Sequence, residues 1–406
     1  VSEGGGGRFR DVLGAPEVRT SLIGTFLIML GYGILAPVLP NYARSFGVDL
    51  KAVGVLVAAF SVTRLAVDPF TGVILDALGE RRAVTLGAAV VGLTSALAAV
   101  APTFELLVVF RGAGGAGSAV FFAGLISYLL RTVPSDRIGR VMSAWYGSFN
   151  VGIIAGEPLG GLFAGWLGPA STLWIYGVMC LVSATVFSRT IRDRPTAPAS
   201  ARRSTGLRRL RWDRPLLTVL LANGAYAWVV AAVYNTLIPL FGTERVHLSL
   251  LVVGGGLAIA SVTEFAALFP AGRATDRIGR KAVLVPSYVL LAIAVALWPL
   301  ATTPVRYVVG LGLFGLTTGY AGVPQTPMLS DLTDEQNRST AVAVFRFVGD
   351  LGFVLGPLAA GVSADRLGYG PAFALASVPV VVALAFALSI RETKPTLPRT
   401  GEAPGL

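Results

Sequence analysis

The sequence predicts an all-α membrane protein: twelve transmembrane helices in two pseudo-symmetric six-helix bundles. Three observations predict it. The 406 residues are 54% apolar and 14% charged, with a strongly positive mean hydropathy. A soluble domain carries roughly a quarter charged residues, so too little polar surface remains here to cover a core, and a bilayer is the natural solvent. Twelve apolar runs fall into two groups of six, and short motifs recur at one offset of 200 residues.

Runs of about 20 apolar residues suffice to span. In the first group they lie near Ser21–Ala43, Leu50–Leu75, Ala83–Ala101, Phe104–Leu130, Val141–Trp166 and Pro169–Ser188. In the second they lie near Leu216–Phe241, Leu250–Pro270, Ala282–Ala301, Val305–Leu329, Ala341–Ala364 and Pro371–Ile390. The organisation expected is therefore a tail (1–20), a bundle (21–188), a linker (189–215), a second bundle (216–390) and a second tail (391–406). The N-terminal stretch is Gly-rich and basic without a following cleavage site, so it reads as a cytoplasmic tail rather than a signal peptide.

Charge orients the chain. With both termini cytoplasmic, the inner segments hold about three quarters of the 33 Lys and Arg, and the outer loops hold only Arg44, Lys51, Arg245, Arg306 and Arg366. That is the positive-inside pattern of a multi-pass protein in a cell membrane, inner or plasma. The net charge of +11 is dispersed among apolar segments, not gathered on one polar face, which excludes a nucleic-acid partner. The linker carries Arg202-Arg203 and Arg208-Arg209. It suits a bilayer with anionic headgroups, or serves only as a solvated tether. The single cysteine, Cys180, sits in an apolar run, so no disulfide framework or thiolate metal site is expected.

The repeat is densest at the turn between the second and third spans of each half. Gly72-Val-Ile-Leu-Asp76-Ala-Leu-Gly79-Glu80-Arg81-Arg82 returns as Gly272-Arg-Ala-Thr-Asp276-Arg277-Ile-Gly279-Arg280-Lys281. Ser61-Val-Thr-Arg64 returns as Ser261-Val-Thr-Glu264. Gly152, Gly156, Gly160 and Gly161 are echoed by Gly352, Gly356, Ala360 and Gly361. A six-helix unit re-enters in the same orientation, so the halves are related by a pseudo-twofold along the membrane normal.

These motifs resemble the major facilitator superfamily, most closely its twelve-helix drug:proton antiporters. That family's signature between helices 2 and 3 is Gly-x-Leu-x-Asp-Arg-x-Gly-Arg-Arg/Lys. The copy from Gly272 to Lys281 keeps nearly all of it, whereas the first copy carries Ala77 and Glu80 at arginine positions. The helix 4 signature Arg-x-x-x-Gly is matched from Arg111. The antiporter series in helix 5, Gly-x-x-x-Gly-Pro-x-x-Gly-Gly, is matched at its glycines with Glu157 in the proline position. Helix 11 holds the version with Pro357 in place. The resemblance implies alternating access, with Asp76 part of a latch that closes the cytoplasmic side in the outward-open state. Headgroup contacts that merely stabilise the turn are the simpler reading.

Intramembrane charges cost at least about 2.5–3.5 kcal/mol each at the bilayer centre unless paired or hydrated. Helix 2 carries Arg64 and Asp68 one turn apart, and helix 11 carries Arg346 and Asp350 at the same spacing. Helix 2 descends while helix 11 ascends, and the resemblance implies that the two helices meet, so Arg64 is expected to face Asp350, and Asp68 to face Arg346. Such a cluster either rearranges when the halves rock apart or statically fixes helix packing. Glu264 stands in helix 8 where Arg64 stands in helix 2. An acid there, with no obvious cationic partner, suits loading and releasing a proton. Glu157 is an equal candidate, paired with Arg111 at similar depth until protonation opens the pair, unless that pair is permanent.

Gly152, Gly156, Gly160, Gly161, Gly352, Gly356 and Gly361 are expected to pack helices 5 and 11 against the other half. Cavity candidates are Tyr32, Asn223, Tyr234, Asn235, Tyr320 and Gln325, with Tyr234 and Asn235 preferred because they lie mid-helix near Pro239. Some of these belong instead to interface belts. His247, alone in an outer loop, cannot assemble a metal site, and no cofactor is expected.

The function expected is secondary active transport, a proton-coupled efflux of a hydrophobic or amphipathic small molecule by a monomer. An importer or uniporter on the same fold is the rival, favoured by the absence of an acid in helix 1. An enzyme or receptor is disfavoured. The sequence has no Gly-x-x-x-x-Gly-Lys-Ser/Thr, no His-Glu-x-x-His, no paired catalytic aspartates and no output domain.

Overall fold

The computed structural model describes residues 15–134, 137–191, 210–334 and 337–393. Most of the two tails and of the linker between the halves lies outside them. Twelve helical segments cross the molecule in alternating directions. In the first half they are α1 (Pro16–Leu35, continued by Leu39–Arg44), α2 (Leu50–Leu78), α3 (Glu80–Ala99), α4 (Phe104–Thr132), α5 (Ile138–Leu167) and α6 (Ala170–Thr190). In the second they are α7 (Arg214–Glu244), α8 (Leu250–Arg277), α9 (Arg280–Ala296), α10 (Pro304–Gly322, continued by Gln325–Asp331), α11 (Arg338–Leu367) and α12 (Tyr369–Ser389). Among the described residues nine helices are long and apolar enough to cross a membrane. The other three are α9, with only 17 residues, and α5 and α10, which are diluted with glycine and hydroxyl side chains.

The repeat extends to helix ends. Asp49 caps α2 by accepting from the Ala52 N–H at 2.7 Å, and Ser249 caps α8 in the same place. Thr103 and Thr303 do so for α4 and α10. A side-chain oxygen at the N-cap satisfies an orphan donor and stabilises a helix by about 1 kcal/mol. Gly79 and Gly279 turn the chain between helices with φ of 77° and 133°, a region that side chains with a Cβ rarely enter.

Within a half, α1 packs on α5 and α6, α3 on α4 and α6, and α2 on α4; the second half repeats much of this. Two seams join the halves, α2 against α11 and α5 against α8, and the pseudo-twofold exchanges them. The glycine series divides differently from expectation. A Cβ on Gly152, Gly156 or Gly160 would strike the α1 backbone, and one on Gly352 or Gly356 would strike α7, all within one half. Only Gly161 and Gly361 face across a seam, against Leu250 and against Leu50 and Gly54. With 3.6 residues per turn, glycines four apart hold one face, and the adjacent Gly161 or Gly361 points elsewhere.

Helix α7 contains a π-helical stretch, Val230–Leu237. Pro239 follows it and cannot donate to the carbonyl at Asn235. The wider turn accommodates that loss and places Tyr234 and Asn235 toward the other half.

Candidate functional site

A cavity of about 600 Å³ lies between the halves. Helices α1, α2, α4 and α5 line one wall, and α7, α8, α10 and α11 the other. Phe122, Trp145 and Phe149 form an aromatic cluster on the first wall, with ring centroids about 6 Å apart.

Glu157 is 1% exposed. Its Oε1 accepts from the Tyr234 hydroxyl at 2.6 Å and from the Ser261 hydroxyl at 3.1 Å, both in the second half, while Oε2 has no hydrogen-bond partner. Glu264, half-buried on the opposite wall, accepts from the Tyr226 hydroxyl at 2.8 Å. Two acids therefore face one cavity, each held by a tyrosine of α7.

Arg111 does not pair with Glu157. Its guanidinium lies 4.4 Å from the centroid of the Phe60 ring and 6.0 Å from that of Tyr176, inside the first half. Glu157 is turned the other way, onto α7 and α8. Tyr32 interacts electrostatically with both. Arg111 is 5% exposed and its Nε has no hydrogen-bond partner. A buried guanidinium without a counter-ion carries a desolvation penalty of several kcal/mol, of which a ring face returns about 0.5–2 kcal/mol.

The four expected cluster residues do gather. Arg64 Nη2 meets Asp350 Oδ1 at 3.0 Å across the α2–α11 seam. Asp68 and Arg346 are close enough to act on the Asp350 charge, but among the described ion pairs there is none between these two. Of the cavity candidates, Tyr32, Tyr234 and Asn235 line the space and Asn223, Tyr320 and Gln325 do not. Asn223 donates to the Phe345 carbonyl at 2.6 Å, and Gln325 is buried against Tyr288 and the Ala321 carbonyl. Ser261 and Tyr176 were missing from the expected site. The repeat at Ser61 and Ser261 was the one available signal for Ser261.

On the side of the molecule where α6 ends and α7 begins, the hydrogen bonds described for Arg81 and Lys281 run within their own halves. Asp76 is exposed, and nothing lies within 4 Å of a Cβ built on Gly72 or Gly272. Arg81 donates to the Ser188 carbonyl, and Lys281 donates to the Leu388 and Ile390 carbonyls. Glu80, which stands at an arginine position of the motif, is 9% exposed and bonds Arg131 at 3.2 Å and Ser127 at 2.6 Å. Arg280 bonds Asp331 at 2.9 Å and approaches Asp276 at 3.7 Å. Glu392 accepts from the first N–H groups of α9, at Arg280, Lys281 and Ala282, where the helix dipole favours an anion.

On the far side the halves are sealed. Arg44 Nε donates to Glu244 at 2.8 Å, the Tyr369 hydroxyl donates to the same carboxylate at 2.7 Å, and Thr243 donates to Asn41 at 2.6 Å. Cross-half hydrogen bonds thus run from the far rim to mid-membrane, where the cavity begins.

The family model described as Major Facilitator Superfamily matches residues 21–263 and 257–405. The chain is 26% identical over 243 residues to the quinolone resistance protein NorA of Staphylococcus aureus (strain MRSA252), covering 57% of this chain. It spans only 61% of that relative's length. It is 28% identical over 378 residues to a chloramphenicol resistance protein of Streptomyces lividans, covering 89% of this chain and 94% of that protein. Among solved structures, the nucleoside transporter NupG superposes with a TM-score of 0.76 at 17% identity, covering 92% of this chain and 100% of that one. A bacterial homolog to the human lysosomal transporter Spinster, inward-facing and unoccupied, gives 0.75 at 15% identity, covering 94% and 97%. At such identities these two likenesses show the fold alone.

Proposed function

The chain belongs to the major facilitator superfamily and is a multi-pass membrane transporter rather than an enzyme, and on that premise we propose that it exports a hydrophobic or amphipathic small molecule in exchange for protons. We place it in the cell membrane with the linker side cytoplasmic, as its Lys and Arg distribution favours. In that orientation the conformation is inward-facing. The resistance-protein names of the two relatives support export; what those proteins act on is theirs.

One observation carries the proton coupling: Glu157, a buried intramembrane acid, is bonded across the moving seam to Tyr234 and Ser261. Two donors to one oxygen suit the carboxylate form. Opening the far side separates α5 from α8 and removes both donors, leaving a carboxyl group that protonation neutralises. The proton is then taken up in the outward-open state and released in the inward-facing one. Glu264, without a cationic partner among the described ion pairs, shares the cavity and offers its charge to the substrate. Protonation and substrate binding favour opposite orientations, and alternating access couples them.

The importer or uniporter reading draws on Tyr32, which stands in the cavity wall of α1 where an acid would be expected for a drug antiporter. Transport in proteoliposomes with an imposed pH gradient separates the two. Export requires gradient-driven uptake into inside-out vesicles for some member of a panel of lipophilic cations, neutral drugs and zwitterions. Gradient-independent transport rejects proton coupling. Full coupling in both Glu157→Gln and Glu264→Gln rejects the assignment of the acids.

A further inference from the structure

The pseudo-twofold exchanges the two seams, but they are not neutralised in the same way. Across α2–α11, Arg64 meets Asp350 at 3.0 Å. At α5–α8, Glu157 is 1% exposed, takes part in none of the described ion pairs, and has an Oε2 without a hydrogen-bond partner. The titratable groups that act on it are Tyr32 of α1, Tyr234 of α7 and Glu264 of α8, none of them a cation. Arg111 of α4 is turned onto Phe60 and Tyr176. A carboxylate in the membrane is costly unless it is paired or coordinated.

The oxygens around Glu157 make more contacts than they have protons to fill. Glu157 Oε1 lies 2.6 Å from the Tyr234 hydroxyl and 3.1 Å from Ser261 Oγ. The Tyr234 hydroxyl lies 2.9 Å from Ser261 Oγ and 3.0 Å from the Leu257 carbonyl oxygen. Tyrosine and serine hydroxyls bring one proton each. With both donated to the carboxylate, the contacts of Tyr234 with Ser261 and with Leu257 have no proton between their oxygens. A small cation supplies what they lack. Carboxylate, hydroxyl and carbonyl oxygens, without nitrogen or sulfur, are the ligands of hard cations. One carboxylate balances one positive charge, so a monovalent ion leaves no net charge in the membrane and a divalent ion would. Oxygens this close together suit a small ion and exclude K+. We propose that the Glu157 carboxylate, the Tyr234 and Ser261 hydroxyls and the Leu257 carbonyl form a sodium site, where Na+ competes with the proton.

The repeat mates of Glu157 and Tyr234 are Pro357 and Ile34, so the other seam cannot form such a site. All three side chains border the cavity, which gives the ion its route. The carboxylate comes from the first half and the other oxygens from the second, so bound Na+ holds the far side closed and opposes the proton. This rests on the reading of Glu157 as a carboxylate in the inward-facing form, and adds an ion that regulates it.

The test is thermal unfolding of the full-length protein in detergent, with the chlorides of Na+, Li+, K+ and choline at equal ionic strength. The expected result is a saturable rise of about 2–5 °C with Na+, a rise with Li+, and none with K+ beyond that of choline. The half-saturating Na+ concentration should rise on acidification, by up to about tenfold per pH unit. Glu157→Gln should abolish the Na+ response. Ser261→Ala should shift half-saturation to higher Na+, while Ser61→Ala at the repeat mate leaves it in place. Equal responses to all four salts, or a half-saturation independent of pH, overturn the proposal without any variant. So does a Na+ response that survives in Glu157→Gln. Gradient-driven transport without a Na+ response removes the ion site and leaves the proton-coupled reading standing. A Na+ response without gradient-driven transport does the reverse.

Discussion

Glu80 holds Arg131 at 3.2 Å, and the residues 200 positions along, Arg280 and Asp331, hold each other at 2.9 Å with the charges exchanged. The contact ties the start of the third helix of each half to the C-terminal end of the fourth. Each partner's sign is free to change so long as the other changes with it.

Reversing one partner should therefore destabilise its half, and reversing both should recover it. Glu80→Arg places two guanidinium groups together, one of them 41% exposed at Arg131, and should cost about 1–3 kcal/mol after solvent screening. Glu80→Arg combined with Arg131→Asp copies the arrangement of the second half. Thermal unfolding in detergent should show the single variant melting lower and the double variant recovering at least half of the loss.

The far-side seal should loosen when Glu244 loses its charge. Glu244→Gln weakens the bond to Arg44 but keeps an acceptor for Tyr369. The pair is half-exposed, so the shift should be modest, about twofold to fivefold in the open population. Labelling of a cysteine introduced at Asn41, with Cys180→Ser to remove the native thiol, measures it. Unchanged labelling would assign closure to the glycine seams instead.

At those seams a single methyl group should matter. A Cβ on Gly161 would lie closer to the Leu250 carbonyl than real Cβ atoms come, and Gly361 faces Leu50 in the same way. Overpacking of this kind costs about 1–3 kcal/mol, here only in the state with the far side closed. Gly161→Ala should hold the protein outward-open and reduce transport by about tenfold or more, while the fold persists. Distance measurements between spin labels on the outer ends of α5 and α8 would report the trapped form.

Acidity should move the same equilibrium. Proton uptake on Glu157 accompanies far-side opening, so lowering the pH should raise far-side labelling and raising it should suppress it. Glu157→Gln, which cannot ionise, should behave as the unaltered protein does at low pH and lose most of the pH dependence. A pH dependence unaltered in this variant would pass the role to Glu264.

His247 has a left-handed backbone, with φ of 57°, at the position where the first half has Gly47 at 75°. A side chain there costs about 1 kcal/mol relative to glycine. His247→Gly should raise the melting temperature slightly and leave transport unchanged, whereas His247→Val should lower it.

Helix count, repeat and the matching depths of Arg64 and Asp350 were legible in the sequence because each depends on position along a helix, while the meeting of helices 2 and 11 came from the family resemblance. Twelve apolar runs and a constant offset determine depth, and two helices running in opposite senses bring complementary charges level. What was not legible depends on rotation about a helix axis and on which neighbour a face meets. Arg111 and Glu157 share a depth but point into different interfaces, and no spacing reveals that. The glycines looked alike in sequence, yet a change of one residue, from Gly160 to Gly161, moves the contact from α1 to the other half. Glu80 read only as a departure from the motif because Arg131 lies 51 residues away on another helix, and only packing joins them.

Arg44 and Glu244 are repeat mates, 200 residues apart, and they touch each other. Two positions that are exchanged by a twofold can meet only on or beside its axis. In a protein with identical halves, that axis would bring arginine onto arginine or glutamate onto glutamate. The closed far side seen here is thus an arrangement available only to unequal halves. An ancestral dimer of one bundle would have needed a neutral or self-complementary pair at this spot. Opposite charges can stand there only because the two halves differ in sequence.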